Sequence, residues 1–404
     1  MNDSDLIKMI SNGFESAKAG NAVKVYEHVA PFHDNGSMPI KSHYPFGWII
    51  YYALHQSHDG NIDTRKRMLA RYLKLQIKVP HKLHSMILTE AIHLYKDSKD
   101  AVYNNKSDKS VRFSIVNFFK LWNQDNLRPG DWNRKSLDDK PLSSTVEKLL
   151  TLCVDELEET RILPSPDFIA LIDNAVIRYP DSFNLMSQRA ALHILANETA
   201  KAAELLRKAL LLAPGKFYLW SKLAATVSPT DNPHLHVAIL YRALNAPGPE
   251  QFKGKIRLSI AETLASRGAF PQALWELQRV KSIYESNGWH LPAKYTAVMQ
   301  GIPNDTVAEN PEHIYRKVAY LADEEVYSGL PTVVMTKTYH KKPDPTKTGS
   351  GFNKPVTAWR LTDSDGNNLW IQPHRFRINP DLPTGTRVNV SIFSGKVVKA
   401  EIAD

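Results

Sequence analysis

The chain has 404 residues, of which 43% are hydrophobic and 23% are charged, and its formal net charge is +9 at pH 7. This composition is typical of a globular chain long enough for two or three domains. Its one cysteine, Cys153, excludes an internal disulfide and a zinc site built on cysteines.

The positive charge is concentrated in two regions of the sequence. Residues 61–140 contain 17 Lys and Arg against 9 Asp and Glu, and residues 331–404 contain 11 against 6. Such an excess is consistent with a nucleic-acid partner whose phosphates it would neutralise. It is equally consistent with an ordinary solvated basic surface, and charge alone does not decide between the two interpretations.

The N-terminal third, residues 1–140, has a helical pattern without a clear internal period. Apolar residues recur at helical spacing in five segments. We predict helices at 5–19, 21–29, 63–76, 81–95 and 111–122. The polar run at 96–110 predicts a loop between the last two of these helices.

The start of the chain, MNDSDLIKMI, has neither a basic run nor an apolar run of signal-peptide length. The most apolar short segment, WIIYYAL at 48–54, is too short to cross a bilayer. We therefore expect a cytoplasmic protein without a membrane partner.

A repeat of 34 residues is the strongest pattern in the chain. Two sets of residues follow this interval: Ala175, Ala209 and Ala243, and Pro180 with Pro214. Each alanine lies near the end of a helix, where a small residue permits close helix contact, and the proline that follows stops the helix. The spacing predicts pairs of helices that stack, because one such unit cannot bury its own apolar face.

Three of these units are well defined in the sequence. One spans 183–216, the next begins with Trp220, Leu223 and Ala224, and the third begins at Gly254. The opening W-x-x-L followed by a small residue resembles the tetratricopeptide-repeat (TPR) motif. The resemblance implies a right-handed solenoid of helical pairs, which we assign to 141–312, with a protein partner in its concave face.

After about Gly329 the helical pattern ends and short β-rich segments follow. We predict strands at Thr332–Tyr339, Val356–Thr362, Asn368–Gln372, Arg387–Phe393 and Lys396–Ile402. Asp365-Gly366 and Ser394-Gly395 are typical hairpin turns between neighbouring strands. Five short strands in one small region indicate an all-β barrel of OB or SH3-like type.

The strings AWRLTDSDGNNLWIQPHRF, LPTGTRVNV and SGKVVKAEI within 330–404 resemble a cold-shock-type OB domain. The resemblance implies that the second and third strands form a platform for RNA or single-stranded DNA. Here Ala358 and Arg360 stand where that family carries stacking aromatics, and Gln372 stands in place of its histidine.

Alternation along the strands predicts which side chains the barrel exposes. If Leu361 points inward, Trp359 belongs to the core, whereas Arg360 and Trp370 lie on the outer face. The basic segment 340–354 adds lysines beside that face. The predicted nucleic-acid-binding residues are Lys341, Lys342, Lys347, Lys354, Arg360, Trp370, Gln372, His374, Arg375 and Phe376.

The sequence contains no phosphate-binding loop, no dinucleotide-binding glycine motif and no nucleophile elbow, and its histidine pairs lack further ligands. We therefore predict no catalytic residues, no cofactor and no metal site. We expect a non-enzymatic adaptor that binds protein through the array and nucleic acid through the barrel. A helical array followed by an OB-type barrel resembles accessory subunits of bacterial antiviral-defence or mobile-element systems. The alternative is a protein-only interaction scaffold with an SH3-like barrel.

Overall fold

The computed structural model describes residues 2–57, 61–105, 112–137, 140–342, 357–376, 378–393 and 395–403. The chain divides into two compact units, Met1–Arg178 and Tyr179–Asp404. It is mainly α-helical and ends in a small β domain, which confirms the predicted fold class at this level. The described part of the chain contains no helix long and apolar enough to cross a membrane. The division at 140/141 and 312/330 stays a prediction.

The first unit is built mainly of helices. They are α1 (Asp3–Ser16), α2 (Ala22–Asp34), α3 (His43–Gln56), α4 (Ile62–Tyr72), α5 (Lys82–Asn105), α6 (Ile115–Trp122), α7 (Thr145–Thr160) and α8 (Pro166–Arg178). A short hairpin of β1 (Lys135–Leu137) and β2 (Lys140–Leu142) precedes α7. The helices predicted at 5–19, 21–29, 63–76, 81–95 and 111–122 all have counterparts here.

The loop predicted at 96–110 is wrong over its first part, because α5 continues to Asn105. Tyr95 and Ser98 are both fully buried on this helix. The Ser98 hydroxyl donates to the Tyr95 carbonyl at 2.9 Å and accepts the Phe113 N–H at 3.1 Å. These contacts bury one face of the polar segment, so it continues as a helix. The remainder of the predicted loop, 106–110, lies outside the described residues.

The second unit begins with further helices. They are α9 (Phe183–Leu195), α10 (Thr199–Leu212), α11 (Phe217–Ala224), α12 (Pro233–Asn245), α13 (Gly254–Ala265), α14 (Phe270–Ser286), α15 (Ala293–Gln300) and α16 (Glu312–Tyr327). Three consecutive pairs pack against each other, α9 with α10, α11 with α12 and α13 with α14. The three alanines that define the 34-residue interval are all fully buried. The predicted helical pairs are therefore present.

Helix α16 turns back and packs against α12 and α10. The rings of Tyr241 and Tyr315 stack with their centroids 4.8 Å apart, and the Tyr241 hydroxyl donates to Glu312 at 2.8 Å. Arg207 of α10 pairs with Glu325 at 2.5 Å. These contacts hold α16 on the helical array that α9 to α14 form, and only a few residues separate its end from the β domain.

The β domain is one curled antiparallel sheet. Its strands are β3 (Thr332–Lys341), β4 (Ala358–Thr362), β5 (Asn368–Ile371), β6 (Arg387–Phe393) and β7 (Lys396–Ile402), in the order β5-β4-β3-β6-β7. The outer strands β5 and β7 contact each other, so the sheet forms a half-barrel. Each strand lies within two residues of its predicted bounds, except that Val356 lies outside the described residues.

Two turns and the core follow the sequence pattern. Gly366 (φ +84°) and Gly395 (φ +72°) adopt the left-handed conformation that favours glycine, at the two predicted hairpin turns. Ser394 lies outside the described residues. Trp359 and Leu361 are fully buried, as alternation predicted, and pack in one core with Val388.

Candidate functional site

Three side chains form a row across the outer face of the half-barrel. In the strand register, Arg360 of β4 stands between Tyr339 of β3 and Trp370 of β5. Tyr339 and Trp370 are 49% and 55% exposed, and Arg360 is also exposed. We call these three residues the outer row.

A bulge in β3 brings Tyr339 into the outer row. The β3–β4 register shifts between Lys337, which pairs with Leu361, and Tyr339, which pairs with Arg360. Without the extra residue, Thr338, alternation would place Tyr339 on the inner face with Lys337. Tyr339 is not among the predicted binding residues, because no local signal in the sequence marks the bulge.

The outer row presents two rings and one cation together. The rings of Tyr339 and Trp370 meet nearly edge to face, 6.0 Å apart at 80°. The guanidinium carbon of Arg360 lies 5.8 Å from the Tyr339 ring centroid, and Arg360 Nε donates to Thr338 Oγ1 at 3.2 Å. Among the described residues no carboxylate forms an ion pair with Arg360. Its charge is therefore available to an anionic ligand.

A buried pair lies beneath the outer row. Lys337 Nζ lies 4.3 Å from the Trp359 ring centroid and donates to the Leu382 carbonyl, and burial lowers the pKa of Lys337. Trp359 Nε1 donates to the Pro380 carbonyl at 3.0 Å. Both side chains are almost completely buried, so they hold β3 and β4 in register under the exposed residues.

The other predicted binding residues lie around this face. Lys341 and Lys342 are exposed at the end of β3 and just beyond it, whereas Lys347 and Lys354 lie outside the described residues. Gln372 is half-buried directly after β5. His374 and Arg375 belong to a short 3-10 helix, and their side chains lie outside the description. Phe376 packs against the half-barrel core. Binding by these residues stays a prediction.

A cleft of about 560 Å³ opens beside Trp370. The half-barrel and the end of α10 both contribute to it. Its walls include Leu369, Trp370 and Val397 on one side and Leu211, Leu212 and Pro214 on the other. The two leucines are not among the predicted binding residues, because in the segment KALLLAP they are ordinary apolar residues of a helix end. Elsewhere in the described residues, no three histidine, cysteine, aspartate or glutamate side chains come together as a possible metal site.

A protein-family model described as "Domain of unknown function (DUF7017)" matches residues 185–322. The matched segment is similar to that family, and it covers the helical pairs from α9 onward and most of α16. It ends before the half-barrel begins. No curated protein matches the chain.

Proposed function

We propose that this protein is a non-enzymatic adaptor that binds single-stranded nucleic acid on the outer row of its half-barrel. The observation that carries the proposal is the juxtaposition of Tyr339, Arg360 and Trp370 on one exposed face. Rings at this spacing offer stacking surfaces for unpaired bases, and an arginine beside them can stack or contact phosphate. Bases inside a duplex are already stacked, so the face suits single strands.

The strand order supports an OB-type half-barrel. An OB fold is a five-stranded Greek-key barrel that binds oligonucleotides on the face formed by its second and third strands. The order β5-β4-β3-β6-β7, with β5 against β7, is the order of such a barrel. Its second and third strands are then β4 and β5, which carry Arg360 and Trp370. Lys341 and Lys342 add positive charge at one end of the face.

We infer that the helical pairs form a TPR-like array that binds a protein partner. The Tyr218 hydroxyl of α11 donates to Asn184 Oδ1 of α9 at 3.0 Å, and the two residues are 34 positions apart, so successive first helices meet at equivalent positions. Helix α16 already packs on the second helices α10 and α12. A partner would therefore use the first helices α9, α11 and α13. A place among bacterial defence or mobile-element accessory proteins rests on the resemblance alone.

Binding of labelled single-stranded RNA, single-stranded DNA and duplex DNA to the full chain tests the first proposal. We expect fluorescence anisotropy to show single-strand binding that weakens as salt rises. Trp370→Ala should weaken binding about tenfold, because it removes one stacking surface.

Trp275→Ala is the matched control, because Trp275 of α14 also has an arginine, Arg279, over its ring at 4.8 Å. It should leave nucleic-acid binding unchanged. The proposal fails if no oligonucleotide binds at low salt, or if Trp370→Ala binds as well as the wild type. Absence of nucleic-acid binding together with a stoichiometric co-purifying protein would favour the protein-only scaffold.

A further inference from the structure

The cleft beside Trp370 belongs to two parts of the second unit at once. Trp370 lies both in the outer row and at the cleft, so a strand that crosses the row also reaches the cleft. Leu211 and Leu212, at the end of α10, form the opposite wall. A ligand in this cleft would contact the helical array and the half-barrel together.

The array wall of the cleft is fixed in place. The Pro214 carbonyl accepts a hydrogen bond from Trp220 Nε1 at 2.8 Å, and Trp220 is fully buried. The Trp220 ring also contacts Tyr327 at the end of α16, with centroids 6.4 Å apart. Since α16 leads directly into β3, the same contacts position the half-barrel beside this wall. The cleft is therefore preformed, which reduces the ordering cost of filling it.

The chemistry of the cleft suits a flat, partly apolar ring with a hydrogen-bonding edge. Its volume lies within the range of small-ligand sites, roughly 300–1,000 Å³. Apart from Gln372, the described lining consists of aliphatic, proline, glycine and aromatic residues, with no carboxylate that would repel phosphate. Gln372 adds an amide that can both donate and accept, which is the chemistry that reads the edge of an unpaired base.

We propose that the cleft receives one nucleobase of the strand that crosses the outer row, so that array and half-barrel form a single nucleic-acid site. This inference rests on the proposed single-strand binding. Trp370 is the stacking surface at the rim, Leu211 and Leu212 are the opposite wall, and Gln372 contacts the edge of the base. The array then acts in nucleic-acid recognition as well as in protein binding.

Leu212→Trp tests the inference by filling the cleft from the array side, away from the outer row. Leu195→Trp is the matched control, because Leu195 is a half-buried leucine at the end of the neighbouring helix α9. The probes are labelled single strands of about five nucleotides, each with one abasic position. In the wild type we expect one abasic position to weaken binding about tenfold and the others to have little effect.

Leu212→Trp should weaken binding of the intact strand about tenfold, and its affinity should no longer depend on where the abasic position lies. Leu195→Trp should bind as the wild type does. Gln372→Leu is a second variant that leaves the walls intact, and it should reduce discrimination among the four bases. A 4-thiouridine at the sensitive position should cross-link to the peptide that contains residues 211–214.

Three results separate the two proposals. If Trp370→Ala weakens binding but Leu212→Trp does not, and no abasic position stands out, the cleft inference is overturned and single-strand binding stands. Cross-links confined to half-barrel peptides would overturn it in the same way. If no strand binds the wild type at low salt, both proposals fail.

Discussion

The helical array and the half-barrel place their charged and aromatic side chains in opposite ways. In the array, Glu276 is fully buried, pairs with Arg257 at 2.9 Å and accepts a hydrogen bond from Tyr315. In the half-barrel, Arg360 and Trp370 are exposed side by side. Polar groups that satisfy one another hold helices together, whereas exposed groups without an ion pair are available to a ligand. The side chains that are free to recognise a ligand are therefore those on the outer face of the half-barrel.

The inner side of the half-barrel, however, follows the rule of the array. Lys337 is buried, lies over Trp359 and donates to a backbone carbonyl. The half-barrel thus holds one cation inside and displays another outside on adjacent strands. Changes on its inner side should affect stability, and changes on its outer side should affect binding.

Trp359→Ala should have the largest effect on stability. The change removes a fully buried ring, which is also the ring that the Lys337 ammonium contacts. Such truncations lower the free energy of unfolding by about 3–5 kcal/mol. We expect hydrogen exchange to show loss of protection in β3 to β7, while the far-UV helical signal is retained. Trp370→Ala is the control, and it should change the apparent Tm little because its ring is 55% exposed. Full protection of β3 and β4 in Trp359→Ala would contradict the stated role of the buried pair.

Glu276→Ala should destabilise the array by about 3 kcal/mol. It leaves Arg257, whose side chain is 16% exposed, paired only with the more exposed Glu250, and it removes the acceptor of the buried Tyr315 hydroxyl. Thermal unfolding followed by circular dichroism measures the effect. Glu262→Ala is the matched control, since Glu262 forms a surface pair with Lys294 whose loss should cost less than about 1 kcal/mol. Equal shifts in the two variants would show that the buried network does not hold the helices.

Arg360→Met should weaken single-strand binding about fivefold and leave the apparent Tm unchanged. The variant keeps an apolar stem on β4 but removes the cation, so the dependence of log affinity on log salt should become shallower by about one unit. Arg316→Met, at an exposed arginine of α16, should change neither quantity. An unaltered salt slope in Arg360→Met would mean that this cation does not contact phosphate.

Much of the fold could be predicted because its signals are local. The 34-residue interval placed small residues at buried helix contacts, and β-branched runs with Gly366 and Gly395 marked the strands and two of their turns. The error at 96–105 has a different origin. Ser98 is polar, and its buried hydroxyl accepts a hydrogen bond from the Phe113 N–H, which lies outside α5 and is not encoded in the residue pattern of that helix.

The part of the candidate site that could be predicted also depends on local signals. Arg360 and Trp370 follow simple alternation on β4 and β5, so their exposure could be expected from sequence. Tyr339 could not, because the bulge arises just beyond Thr336, where the pairing of β3 with β6 ends and its pairing with β4 continues. The two leucines of α10 line the cleft together with half-barrel residues that are far away in sequence, which is a tertiary arrangement without a local pattern.

A buried histidine in the array predicts how the stability of the array depends on pH. His236 of α12 is 6% exposed, and its Nδ1 lies 3.1 Å from the Ala224 carbonyl oxygen, so this nitrogen carries the proton and donates. Burial lowers the pKa of His236, and the smaller effects of Glu262 and Lys294, which face it, oppose each other. The second proton, which Nε2 would take up to form the imidazolium, is therefore bound more tightly in the unfolded chain than in the folded protein.

It follows that His236 contributes stability above pH 6.5, the ordinary pKa of histidine, and that this contribution is lost as the pH falls below that value. Between pH 7 and pH 6 the loss is at most about 0.7 kcal/mol. His236→Gln should flatten part of the decline in apparent Tm, whereas His313→Gln, at an exposed histidine of α16, should not. An identical decline in His236→Gln and the wild type would show that His236 takes up no proton when the array unfolds.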